Sequence, residues 1–276
     1  MSSPSSKKND NYAFFVDIEK YIEKAKSAES TAASSNVDSK CKSFMKSSRL
    51  HIKDEETAQI ICEQFIKLYD SLIDPNIKSK CDPTYKNCSE FLNYWVNFKL
   101  TESMKNEDYA VHYVYNGLES QITGVDGYGE IIDFICDIDK DELNKMNKLY
   151  NLYENYSKLS AIINKESESD KKELLSLSTQ CCTYYNEASY ICDPDNNNSR
   201  TKFCEELETF KSKYEDLYQK VDEKPSEISD NFIKLLECPN TKIISTAVTG
   251  SIIGLIPLFG VLYKVTELNI KLFILN

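Results

Sequence analysis

Apolar positions recur along this chain three and four residues apart, the spacing that lines one face of an α-helix. Between Tyr12 and Ala28 they are Phe14, Phe15, Ile18, Tyr21, Ile22 and Ala25, with Glu19, Glu23 and Lys24 between them, which predicts a first helix. Residues 27–40 are rich in Ser and Ala and low in bulk, the pattern of a loop or flexible link. A second helix is expected from Asp54 to Leu72, with Ala58, Ile61, Cys62, Phe65, Leu68, Tyr69 and Leu72 on its apolar face. Asp54 stands at a capping position, and Glu55 and Glu56 fall in the first turn, where the helix dipole favours negative charge. Asp74-Pro75 ends it. Residues 76–89 read as a loop holding Cys81-Asp82-Pro83 and Cys88, and Ser89 opens a helix carrying Phe91, Leu92, Trp95, Val96 and Leu100.

The pattern continues with a helix from Glu107 to about Ser120, on Tyr109, Val111, Val114, Tyr115 and Leu118. Gly124, Gly127 and Gly129 follow; they succeed no predicted strand and lack dinucleotide-loop spacing, so they mark a turn. The longest stripe runs from Glu130 to about Lys165, with an expected break near Asp139–Asp141. A polar link precedes a helix from Lys171 to Tyr190, and a last domain helix spans about Ser199 to Val221 before Lys224-Pro225. Between these two helices lies a loop, Cys192-Asp193-Pro194-Asp195, that echoes the earlier Cys-Asp-Pro. Residues 226–241 form a short helix or stalk.

Near the C-terminus the pattern changes. Ile243 to Tyr263 holds 21 residues without a charge, closed by Lys242 and Lys264. At about 1.5 Å per residue such a run crosses a hydrocarbon core of about 30 Å. The division expected is a leader over 1–11, a helical domain over 12–241, a membrane span over 242–264 with its flanking lysines, and a tail over 265–276. The fold class is all-α: a multi-helix, cysteine-containing domain followed by a single transmembrane helix. Gly250 and Gly254 have the GxxxG spacing, a close-packing face through which two copies could pair as a homodimer. Lysines on the two sides of the span are nearly balanced, so charge does not set its orientation.

Composition narrows the function. Net charge is −11; residues 242–276 contribute +2, which leaves −13 on the rest. That argues against a nucleic-acid partner, since phosphate binding needs a positive surface. Ten cysteines, Cys41, Cys62, Cys81, Cys88, Cys136, Cys181, Cys182, Cys192, Cys204 and Cys238, all precede the span and suggest disulfides in an oxidising compartment. Pairing does not follow from sequence, although Cys81 and Cys88 are close enough to close a local loop, and Cys181 and Cys182 are expected to have different partners. His51 and His112 are the only histidines and no CxxC occurs, so the usual zinc spacings are missing. No nucleophile elbow, phosphate loop or zinc-protease helix is present, and neither a catalytic constellation nor a cofactor is expected. Asn-x-Ser sequons stand at Asn87, Asn155 and Asn197. No apolar stretch of signal-peptide kind follows the first residues, which sits uneasily with so many cysteines.

The span, the cysteines and the aromatic helices together resemble the variant antigens of the Plasmodium interspersed repeat (PIR) superfamily, of the VIR kind in Plasmodium vivax. The residues that carry this are CDPTYKNCSEFLNYWVNFKL from Cys81 to Leu100, Tyr184 to Cys192 with the Cys-Asp-Pro loop, Phe203-Cys204-Glu205, and Ile244-Ser245-Thr246-Ala247-Val248 running to Leu262-Tyr263-Lys264-Val265-Thr266. The resemblance implies export into, or display on, the infected red cell, with roles in antigenic variation, immune evasion and adhesion. Its implied partners are a host-cell receptor or antibody, and it implies no enzymatic activity. It also implies that an ordinary leader is often missing. Glu267 departs from the family's usual Pro, and the tail is short and weakly basic. The rival expectation is a tail-anchored intracellular tether with a reduced cytosolic domain.

Overall fold

The computed structural model describes residues 12–30, 35–72, 83–106, 110–122, 135–165, 171–193, 201–224 and 226–238. A 3-10 turn, Ala13–Asp17, leads into α1 (Ile18–Ser30). Then follow α2 (Ser35–Ser47), α3 (Glu55–Leu72), α4 (Pro83–Ser103), α5 (Val111–Ile122), α6 (Lys140–Lys165), α7 (Lys171–Ile191), α8 (Lys202–Asp222) and the single turn α9 (Ser226–Ser229). The all-α class expected from the pattern is what the chain adopts, with disulfides between its elements. One compact unit reaches Leu235; of the unit that begins at Leu236, only residues 236–238 are described. The leader, the expected span Ile243–Tyr263 with Gly250 and Gly254, and the tail lie outside the described residues. Among the described residues no helix is long and apolar enough to cross a membrane.

The core is built from rings. Phe14 lies 5.6 Å from Phe91 and 5.5 Å from Tyr94, and Tyr21 stacks on Phe91 at 4.9 Å. Tyr94 meets Tyr150 at 5.7 Å, which brings α4 onto α6. Tyr153 then meets Phe210 edge-on at 5.2 Å, Phe210 meets Tyr214 at 5.9 Å, and Tyr214 meets Phe232 at 5.0 Å. These separations lie in the range where edge-to-face and offset rings attract beyond their area burial. Three of the buried tyrosine hydroxyls have partners: Tyr94 donates to Asn147 Oδ1 at 3.2 Å, Tyr12 to Glu142 Oε2 at 3.0 Å, and Tyr214 to the Ile233 carbonyl at 2.9 Å. Burial holds all three phenols well above their usual pKa. α1 packs against α3 and α6, and Lys99–Glu29 at 2.7 Å and Lys26–Glu154 at 3.3 Å tie its edges to α4 and α6. Such partly exposed pairs contribute about 0–1 kcal/mol each.

Local signals set several boundaries. Asp54 caps α3 as expected: its Oδ1 accepts from Thr57 N at 2.7 Å and its Oδ2 from Thr57 Oγ1 at 2.8 Å. These bonds hold its carboxyl below the ordinary value of 3.8. Because the folded pKa is depressed, the stabilisation is present above the unfolded value and lost as pH falls through the folded one, below about 4. Asp54→Ala is expected to cost about 0.5–1 kcal/mol at neutral pH, while Asp54→Asn keeps most of the cap and flattens the acid limb; urea unfolding from pH 7 to pH 3 checks both.

Four expectations are corrected. Residues 35–40, expected within a loop, belong to α2. Its Ser-rich sequence is a poor helix former, but Cys41 and Phe44 are fully buried, and α2 packs on α3 and α5. α4 begins at Pro83, six residues before Ser89, since proline at a first helical position loses no hydrogen bond and arrives with a helical φ. α5 starts at Val111 rather than Glu107, with Asp137 Oδ1 accepting from His112 N at 2.8 Å. Finally, the break expected near Asp139–Asp141 is where α6 begins, and what is corrected is the helix expected before it. Residues 135–139 are non-helical and α6 starts at Lys140, with Asp139 Oδ1 accepting from Asp141 N at 2.9 Å and Glu142 N at 3.3 Å.

What holds residues 135–139 is a pair of asparagines one turn apart on α4. Asn93 Oδ1 accepts from Cys136 N at 2.9 Å and Asn97 Oδ1 from Ile138 N at 3.0 Å. Asn97 Nδ2 donates to the Cys136 carbonyl at 2.9 Å. Two side-chain amides thus do for this segment what a neighbouring strand would do, satisfying alternate backbone groups on one side. Asn97 is fully buried.

Candidate functional site: the cysteines and an exposed corner

The cysteines divide into bonded and free. Cys41 on α2 bonds Cys62 on α3 with Cα atoms 5.4 Å apart, closing 21 residues of sequence. Cys192, just past α7, bonds Cys204 in the first turn of α8 with Cα atoms 5.7 Å apart, closing 12. Loop-closure entropy gives such bridges about 3 kcal/mol each. Thr201 caps α8 beside the second bridge, its Oγ1 accepting from Cys204 N at 3.4 Å. Cys182 and Cys238 are each disulfide-bonded as well.

Cys88, Cys136 and Cys181 are free thiols, so not every cysteine is in a bridge. The local closure of Cys88 with Cys81 is not made. Cys88 lies buried on α4, 3.7 Å from Tyr21 Oη, in the face that packs on the ring core; Cys81 lies outside the described residues. Cys181 and Cys182 were expected to bond different partners; Cys182 is bonded, but Cys181 is a free thiol and has no disulfide partner. Burial pushes the Cys181 thiol far up. Cys136 is also raised, by desolvation first, against an Asn93 amide that lowers it; the nearby Asp137 raises it further. Both thiols are protonated at neutral pH and weakly nucleophilic.

His51 lies in the turn after α2 and His112 in the first turn of α5. His112 Nδ1 meets Asp137 Oδ2 at 2.5 Å, with both side chains about half exposed. The Asp137 carboxylate therefore holds the His112 backbone N–H and its ring together, which orients the start of α5. The His51 ring packs edge-on to Tyr113 at 5.4 Å. Here the connection after α2 pairs with the end of α4: Ile52 bridges Met104 in antiparallel fashion, Lys53 N donates to the Ser103 carbonyl at 2.8 Å and Lys105 N to the His51 carbonyl at 2.8 Å. The corner presents Leu50, 76% exposed, and Tyr113, 62% exposed, with Arg49 and Lys105 beside them. The sequence pattern gave no weight to Arg49-Leu50-His51; the signal was an apolar residue between basic ones at a helix connection. Among the described residues no group of three or more His, Cys, Asp or Glu could hold a metal ion.

Comparison with family models, curated proteins and solved structures finds no match to this chain.

Proposed function

We propose that this chain is an exported or surface-displayed variant antigen of the PIR type, a disulfide-tied helical domain held by the span Ile243–Tyr263. The observation that carries this reading is the state of the cysteines. Cys41–Cys62 and Cys192–Cys204 join helices, and Cys182 and Cys238 are bonded too. Such bridges persist in oxidising surroundings and not in a reducing cytosol. Ring packing and bridges fix the helices independently of their outer faces, so exposed positions can vary while the core persists. The contact surface for a host receptor or antibody is then the corner of Leu50 and Tyr113; the loop expected after Cys192 lies, from residue 194 to 200, outside the described residues.

Proteolysis of intact infected cells tests the display. Cleavage in the domain, together with a known surface protein, supports it. A domain that stays protected while that protein is cut rejects surface display and leaves internal export.

A further inference from the structure

Two of the three sequons fall on described helices, and the fold treats their asparagines in opposite ways, although Ser89 of the first is 7% exposed with its Oγ donating to the Lys86 carbonyl at 2.8 Å. Asn155 lies in the middle of α6 with 4% of its surface exposed, and Tyr153 beside it is 1% exposed. The Oγ of Ser157, the hydroxyl that completes the sequon, is buried without a hydrogen-bond partner among the described residues. A sugar on Asn155 Nδ2 is larger than the residue that carries it, and a close-packed interior has no room for it. Asn87 is partly exposed on α4, next to Lys86, whose side chain is 58% exposed. No hydrogen bond among the described residues uses the Asn87 side chain. Asn197 lies outside the described residues.

We propose that Asn87 is a glycan acceptor of this domain and that Asn155 is a closed sequon, whose occupancy and the native fold exclude each other. Transfer forms a bond from Asn87 Nδ2 to the anomeric carbon of a lipid-diphosphate-linked oligosaccharide. It breaks that carbon's bond to the phosphate oxygen, and releases the lipid diphosphate and the amide proton. The proposal rests on maturation in a secretory compartment. The experiment supplies that route itself, so its failure does not depend on where the native chain travels.

The full chain, placed behind a cleavable secretion signal, is expressed in glycosylating eukaryotic cells. Protein that has formed Cys41–Cys62 and resists limited proteolysis is separated from the remainder, and glycopeptide mass spectrometry reads occupancy in each pool. The folded pool is expected to carry glycan at Asn87 and none at Asn155, with any Asn155 glycan confined to the remainder. Asn87→Gln removes the first signal. Ser157→Ala abolishes the second sequon while keeping Asn155, and leaves the folded pool at least as large as in the parent chain. Folded protein glycosylated at Asn155 overturns the closed sequon, and folded protein bare at Asn87 overturns the acceptor. A several-fold smaller folded pool with Ser157→Ala overturns the idea that this hydroxyl is dispensable to the fold.

Discussion

Phe210→Ala is expected to lower the unfolding free energy of the full chain by about 3–5 kcal/mol, a large part of the roughly 5–15 kcal/mol that a domain possesses. Phe210 is completely buried on α8, and its ring meets Tyr153 at 5.2 Å, Tyr156 at 6.3 Å and Tyr214 at 5.9 Å. Truncation removes the apolar transfer energy, leaves a cavity, and strips ring partners from α6 and α8 at once. Phe210→Leu refills much of the volume and is expected to recover more than half of the loss. Urea unfolding checks this: the midpoint should fall with little change in slope. A loss below about 1 kcal/mol for the Ala variant would mean that these rings do not carry the α6–α8 contact.

The second large effect is expected from Asn97→Ala, about 2–4 kcal/mol. The substitution leaves the Ile138 N–H and the Cys136 carbonyl without the partners now at 3.0 Å and 2.9 Å. Each stranded backbone group costs about 1–3 kcal/mol, less where water can reach it. Amide exchange at Ile138 separates this from a general loosening. Its protection should collapse in the variant while amides in the middle of α3 retain theirs after correction for global stability. Unchanged protection at Ile138 would show that the segment is held by its own packing.

These two positions illustrate what was legible in the sequence. Phe210 belonged to a regular stripe on α8, and α1, α3, α7 and α8 were found wherever such a stripe faced one core. The asparagine clamp was hidden because its partner backbone stands 39 to 43 residues away, and polar residues on a helix read as its solvent face. The same blindness extended a helix through residues 135–139, where Ile135 and Ile138 kept helical spacing although α4 holds the backbone of Cys136 and Ile138. Asp139 three residues before Glu142 was the available sign of a start there. α2 was missed for a different reason. Its own sequence favours a link, and a disulfide with burial of Phe44 supplies what propensity lacks. At the candidate site, the sequence showed that bridges should exist and could not show which cysteines stay free, because pairing is a property of distances that only the packed helices set.

The central claim is that this domain matures oxidised, and counting thiols tests it most directly. Protein taken from its native source under alkylation, then denatured without reductant, should expose no more than four of its ten thiols, because six cysteines are bonded. Peptide mapping of the same sample should recover Cys41 joined to Cys62 and Cys192 joined to Cys204. Ten reactive thiols would contradict this and favour a reduced cytosolic domain on a tail anchor.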